Sequence, residues 1–452
     1  MRLPTAAQPP LRHLLRAALA GLIALGMPLL VAPTAQAHPM PHSVIALRVG
    51  DDRATARLEL PLDDLTLAMG VNPLGDDEAL SESEVGQVAD YLGGHFDVTS
   101  PDGAGWTTTI LGVEAGAAEQ TDTGRYQELV VEAVLAPPVG ESTRAFTVAY
   151  DAIIHQVVTH RILVTVESDW AGGQVDQTRE LGVIRIDTGT GRIAPLVVDL
   201  GEGSSWTGFT AMAGLGMSHI LEGTDHLLFL LVLLLPAPLL ARRGRWRRPA
   251  PLRQTLRRIL AITIAFTLGH SATLAIASLA RLQLPTGPIE ALIALSILIG
   301  AVHALRPLFP GREALIAAGF GLIHGLAFSF TLAELDLTTG QLVLSLLGFN
   351  LGIELMQLIV VALVLPPLIL ASRTAAFSGF RILAAGLTGV AALGWMVDRL
   401  GAPNPVAEAA DAIVAYQVAV LVAIWVFGLA CWLAKVTVSR TSARPRPTPA
   451  RR

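Results

Sequence analysis

Residues 219–235 read HILEGTDHLLFLLVLLL. Two histidines, a glutamate and an aspartate stand at the head of a run that is otherwise almost pure leucine. An ionisable side chain inside hydrocarbon costs at least ~2.5–3.5 kcal/mol on insertion scales, so such groups are rare and usually functional. This stretch therefore decides two questions together: whether the chain enters a bilayer, and what it does there.

The surrounding composition answers the first. Of 452 residues, 52% are hydrophobic and 15% charged, with a mean hydropathy of +0.55. A soluble protein carries ~25% charged residues, so this balance belongs to a membrane protein. Residues 207–434 form a series of apolar blocks, whereas 38–205 are mixed and polar. Seven apolar segments follow Trp206, at about 208–236, 258–280, 288–305, 313–332, 341–370, 380–397 and 411–434. Each approaches or exceeds the ~20 residues a helix needs to cross a ~30 Å hydrocarbon core. The basic residues lie in alternate loops: RRGRWRRPAPLRQTLRR, LRPLFPGR, SRTAAFSGFR and the tail from Lys435 to Arg452. The opposite loops hold only Arg281 and Arg399. The positive-inside rule then gives seven helices, with the C-terminal tail 435–452 cytoplasmic. The same rule accounts for the basic loops, so nucleic acid is not expected as a partner.

The N-terminus reads as a secretory signal over 1–37. Arg2, Arg12 and Arg16 precede the apolar run Ala17 to Ala32, and Ala35-Gln36-Ala37 supplies an A-x-A cleavage site. Cleavage there leaves His38 at the mature N-terminus with His42 close by, and a terminal amine beside imidazoles suits extracytoplasmic capture of Cu²⁺ or Ni²⁺. Residues 38–205 show short period-two runs (SVIALRV, ATARLEL, YQELVVEAVL, AFTVAY, RILVTVE, LGVIRI) between Gly, Pro and Asp clusters. This predicts an extracytoplasmic all-β, sandwich-like domain with one helix around Ser83–Leu92. Between 38 and 206 stand 27 Asp and Glu against nine Arg and no Lys, a net charge of −18. Such a surface concentrates cations near the membrane. His95, His155 and His160 read as isolated residues of that domain. Cys431 is the only cysteine, which excludes an intramolecular disulfide and thiolate clusters.

The polar groups of the apolar half gather at one depth. Glu222, Asp225 and His226 fall near the middle of the first segment, His270 of the second, His324 of the fourth, and Asn350 and Glu354 of the fifth. On a straight helix His219, Glu222 and His226 share an arc of about 60°. Thr263, Thr267 and His270 form a second stripe, and Asn350, Glu354 and Gln357 a third. These faces turn to the bundle interior, because lipid cannot satisfy them. Imidazole with carboxylate and no thiolate suits borderline divalent ions, Ni²⁺, Co²⁺, Zn²⁺ or Mn²⁺. A proton relay is the competing use of the same groups. The expected ligands are His219, Asp225, His226, His270, His324 and Glu354. Glu222, Glu290, Asn350 and His303 line the approach and exit, although His303 alone reads more readily as helix-end packing.

HILEGTDH resembles the H-P-x-x-G-x-D-H signature of the HupE/UreJ membrane proteins, with His219, Gly223, Asp225 and His226 at its fixed positions. FGLIHGLAFS is similar to the second histidine motif, through His324-Gly325. Residues 207–400 fit that domain, in the variant with a large exported N-terminal domain. The resemblance implies an inner-membrane nickel or cobalt permease, the ion being substrate, with no organic cofactor. Ile220 replaces the signature proline, which predicts a straighter helix at the site. The rival readings are an intramembrane zinc hydrolase and a membrane-anchored metal sensor or assembly factor whose β domain binds a partner. The chain carries no Walker-type loop, so transport would draw on the membrane potential, ~2.3 kcal/mol per charge per 100 mV, on proton exchange, or on a partner.

Overall fold

The structure is a computed structural model that describes residues 41–74, 80–120, 124–280, 282, 285–327, 335 and 337–442. The signal segment, His38 and the end of the basic tail lie outside the described residues.

Alternating apolar residues build the first half. The strands are β1 (Ser43–Val49), β2 (Ala54–Pro61), β3 (Phe96–Thr99), β4 (Thr107–Gln120), β5 (Gly124–Ala136), β6 (Ala145–Tyr150), β7 (Ile162–Asp169), β8 (Arg179–Ile184), the short pair β9 (Ile186–Asp187) and β10 (Arg192–Ile193), and β11 (Leu196–Asp199). In β2, Ala54, Ala56, Leu58 and Leu60 point inward while Thr55, Arg57 and Glu59 point out. The larger sheet runs β4-β5-β2-β1-β7-β8, antiparallel except for the parallel β1–β7 pair. A second sheet runs β11-β6-β3. Both sheets contribute to one core that includes Leu47, Leu58, Val131, Phe146, Val148 and Val164. Two helices complete this half, α1 (Leu62–Met69) and α2 (Glu82–Gly93). The second is the helix expected from sequence; Ser81 and Glu84 close a capping box at its start.

The second half is helical. It comprises α3 (Ser205–Glu222), α4 (Thr224–Leu234), α5 (Leu252–Leu279), α6 (Thr286–Leu305), α7 (Glu313–Ala327), α8 (Thr339–Ala371), α9 (Ala376–Arg399), α10 (Pro405–Asp411) and α11 (Gln417–Ser442). Among the described residues five helices are long and apolar enough to cross a membrane, α10 and α11 counting as one, and six if α3 and α4 form one bent span. The described part of α7 is shorter, at 15 residues. Outward faces are apolar: α5 exposes Leu256, Leu260, Ile264 and Leu268 at helical spacing.

Glycines set the crossings that carry the site. A Cβ on Gly352 would collide with the Ala213 carbonyl, and one on Gly216 with the Phe349 carbonyl, so α3 and α8 touch backbone to backbone. Gly269, Gly321 and Gly325 do the same for α5 and α7, against Ala318, Phe266 and His270. Close approach through small residues is the usual device for helix association in lipid.

Two features were not legible in the sequence. The basic loop after α4 folds into a hairpin, β12 (Leu239–Arg242) with β13 (Arg245–Pro249), turning through Arg243 and Gly244, both at positive φ. The β half is also fastened to the helices by Trp170. Its Nε1 donates to Ser345 Oγ at 2.8 Å, and its ring packs in one cluster with Met212, Phe349 and Ile353.

Candidate metal centre

The helix carrying HILEGTDH is broken, against the expectation of a single straight face. Glu222 ends α3, Thr224 starts α4, and the two helices meet at 70°. The signature proline is therefore not needed for the bend. Gly223 makes it, in an extended conformation (φ −75°, ψ 101°). A Cβ there would stand 2.7 Å from His226 Nδ1 and 3.0 Å from Asp225 Oδ1, so only glycine fits. Asp225 sits in the first turn of α4, where the helix dipole favours an anion. Its Oδ1 accepts from the His226 backbone N–H and from His226 Nδ1, both at 2.8 Å.

The break brings the histidines together. His219 and His226 meet edge to face with ring centroids 4.6 Å apart. His324 lies 5.3 Å from His226, and His270 6.5 Å from His219. Four imidazoles from α3, α4, α5 and α7 thus form one contiguous group, with His226, His270 and His324 only 9%, 1% and 2% exposed. Ser296 on α6 approaches His324 Nε2 at 3.0 Å. His226 Nε2, His324 Nδ1 and both ring nitrogens of His270 are buried with no protein partner among the described residues. A buried polar atom without a partner costs ~1–3 kcal/mol, and here the atoms are the nitrogens an incoming cation would use. The group is not a closed coordination shell: among the described residues no three His, Cys, Asp or Glu side chains are arranged to hold an ion at once. Joint coordination of one ion would require the rings to turn toward a common point.

A cavity of about 410 Å³ leads to this group. His219, Asp225, His226, His324 and Trp395 line its more buried part, and the more exposed Glu222, Glu290, Arg399 and Asp411 mark its mouth. Glu290 pairs with Arg399 at 2.7 Å, and Asp398 holds the same guanidinium at 2.9 Å. Asp411 was not anticipated. It accepts from Trp395 Nε1 at 2.9 Å, and its carbonyl lies 3.3 Å from Thr224 Oγ1 at the helix break. The one sequence signal was its place as an acid just before the last apolar run, as Asp225 stands before the leucines.

The remaining expected residues make other contacts. Glu354 and Gln357 face Thr267, whose hydroxyl donates to them at 2.5 and 3.4 Å. Asn350 accepts from Ser271 at 2.7 Å. Together these make a polar ladder between α5 and α8, and Glu354 bonds to Thr267. His303 stacks on Phe309 at 4.0 Å and accepts from the Leu308 N–H, at the other end of the bundle beside the hairpin.

In the β half, His42 is clamped at its backbone by Gln120. Burial, then the neighbouring His160 and Arg161, push its imidazole below the usual histidine range. His95, His155 and His160 are not isolated. The first two stack at 4.3 Å, and His95 Nδ1 lies 2.6 Å from Asp151. His160 bridges Ser43 and Asp64 at 2.8 Å each, in the domain core.

Residues 198–399 match the HupE / UreJ protein family. This part of the chain belongs to that family. The family and the apolar helices make the chain a multi-pass membrane protein. No curated protein and no solved structure shows a significant match to the chain.

Proposed function

We propose that this HupE/UreJ protein is a permease for a divalent transition-metal cation, nickel or cobalt before zinc or manganese. One observation carries the reading: imidazoles from four helices and the Asp225 carboxylate converge at a helix break, at the end of a cavity with acidic walls. The family is associated with nickel and cobalt transport, which supports the ion class. Broken helices build ion sites because their free ends offer dipoles and carbonyls at membrane depth.

The ion enters at Glu290, Glu222 and Asp411 and exchanges water for imidazole nitrogen. Asp225 holds the His226 Nδ1–H, which leaves Nε2 as the nitrogen with the lone pair. A second cavity of about 420 Å³, containing Arg258 and Glu313, lies toward the hairpin. Cavities on both sides favour passage over an enclosed hydrolytic site. The loop charges support seven crossings of a bacterial inner membrane, with α3–α4 as the first and α7 within the fourth. They also support an extracytoplasmic β domain, released from a signal over 1–37, and a cytoplasmic tail. The acidic surface of that domain, with His38 and His42, would gather the cation.

Uptake into liposomes holding the purified protein tests this across Ni²⁺, Co²⁺, Zn²⁺ and Mn²⁺. Saturable uptake of at least one ion is expected, lost in His226→Ala. Equal uptake by wild type and variant overturns the reading.

A further inference from the structure

Each of three site histidines has a phenylalanine about one turn further from the cavity mouth. Phe229 follows His226 by three residues on α4; Phe266 precedes His270 by four on α5; Phe320 precedes His324 by four on α7. Because α4 leaves the mouth while α5 and α7 run toward it, all three rings lie on the same side of the imidazoles. Phe229 meets Phe266 at 5.2 Å and Phe320 at 5.8 Å, and His324 rests on Phe229 and Phe266 at 5.3 and 5.2 Å. The three are 3%, 2% and 8% exposed.

The cavities on either side of this layer adjoin the same small void. His226 lines both the mouth cavity and a void of only about 10 Å³ walled by Phe229, Phe266, Thr263 and Gln357. Ile262 lines both that void and the 420 Å³ cavity holding Arg258 and Glu313. A void of that size admits one water at most and no hydrated ion.

We propose that Phe229, Phe266 and Phe320 are the gate of the path, and that this structure is the state open toward Glu290 and closed at the phenylalanines. An apolar constriction excludes ions by staying dry, with no charge needed. Phe229 rides on α4, which joins α3 only through the bend at Gly223. Rotation of α4 about that glycine withdraws one ring of the three, and the Asp225–His226 pair moves with it. Ion binding and gate opening thereby share one moving element. This deepens the permease reading and rests on it for what crosses; the barrier itself is a property of the packing.

The test is thiol accessibility in Cys431→Ser protein, in right-side-out membrane vesicles, with an impermeant anionic methanethiosulfonate supplied on the Glu290 side. Ala327→Cys, half-buried in the wall of the mouth cavity, reports access to the site. Thr263→Cys, beside the small void, reports access past the rings. Ala327→Cys is expected to react in every background. Thr263→Cys is expected to resist with the rings intact or with Phe229→Leu, and to react at least ~tenfold faster with Phe229→Ala and Phe266→Ala combined. Thr263→Cys reacting as fast as Ala327→Cys with all rings in place overturns the proposal, whether or not the alanine variant folds. So does a rate that ring removal leaves unchanged. No transition metal enters the assay, so a protein that shows this pattern but moves no Ni²⁺ keeps the gate and loses the permease reading.

Discussion

Asp225→Asn isolates what the carboxylate at the helix break does, because the amide keeps the shape and an acceptor for the His226 N–H. The carboxylate oxygen is 2.8 Å from His226 Nδ1. Across the ring to an ion on Nε2 the charge separation is ~6 Å, given a metal–nitrogen bond of about 2.1 Å. At an effective dielectric constant near 20, a carboxylate attracts a divalent cation over that distance by about 5 kcal/mol. Stripping water from both charges offsets much of this. Removing a carboxylate that orients a metal-bound imidazole costs ten- to a hundredfold in affinity, about 1.4–2.7 kcal/mol. The amide also loses its preference for the Nδ1–H tautomer, since it can donate as well as accept. The expected result is a ten- to hundredfold rise in the Kd for Ni²⁺ by calorimetry on purified protein, with thermal stability close to wild type. Asp225→Asn within threefold of wild type, alongside His226→Ala that abolishes binding, would refute the argument that this charge completes the site.

Three further outcomes follow from the packing. Trp170→Ala removes an indole buried between the two halves and should cost ~3–5 kcal/mol; hydrogen exchange should quicken in 205–222 and 339–353 while the β core stays protected, and unchanged exchange would contradict the docking role. His303→Ala should destabilise the hairpin end by ~1–3 kcal/mol, since the Leu308 N–H loses its acceptor, yet leave Ni²⁺ affinity unchanged; a large affinity loss would move His303 into the path. Burial, then the charge of Glu59, hold the Glu128 carboxyl above its usual range, and its Oε2 has no partner among the described residues. The folded state therefore binds that proton more tightly than the unfolded chain, and ionisation at neutral pH costs stability. Glu128→Gln should raise Tm by ~1–3 °C at pH 7, with the gain fading as the pH falls through Glu128's raised range toward 4; a constant gain across that interval would mean another cause.

Much of this protein can be read from its residues in order. Strand alternation, apolar block length and the identity of the polar groups are local properties. They gave the β-rich half, most of the apolar helices and His219, Asp225, His226, His270 and His324 as a candidate set. The helical period breaks at Gly223, because a fixed angle per residue holds only along a continuous helix, and one glycine with a carboxylate behind it interrupts the helix there. Glu354 followed the same helical stripe as a ligand would, yet its neighbour across the crossing is Thr267, which no single-helix pattern reveals.

The sequence by itself determined which chemistry is available: imidazoles and acids held inside apolar helices, with no thiolate to compete. The tertiary structure alone decided which of those groups meet. Glycine crossings such as Gly216 on Phe349 and Gly321 on Phe266 fix the helix spacing, and that spacing joins four histidines, closes three phenylalanines beneath them and seats Trp170. Such meetings depend on backbone approaches between residues up to hundreds of positions apart, and a local pattern carries no record of them.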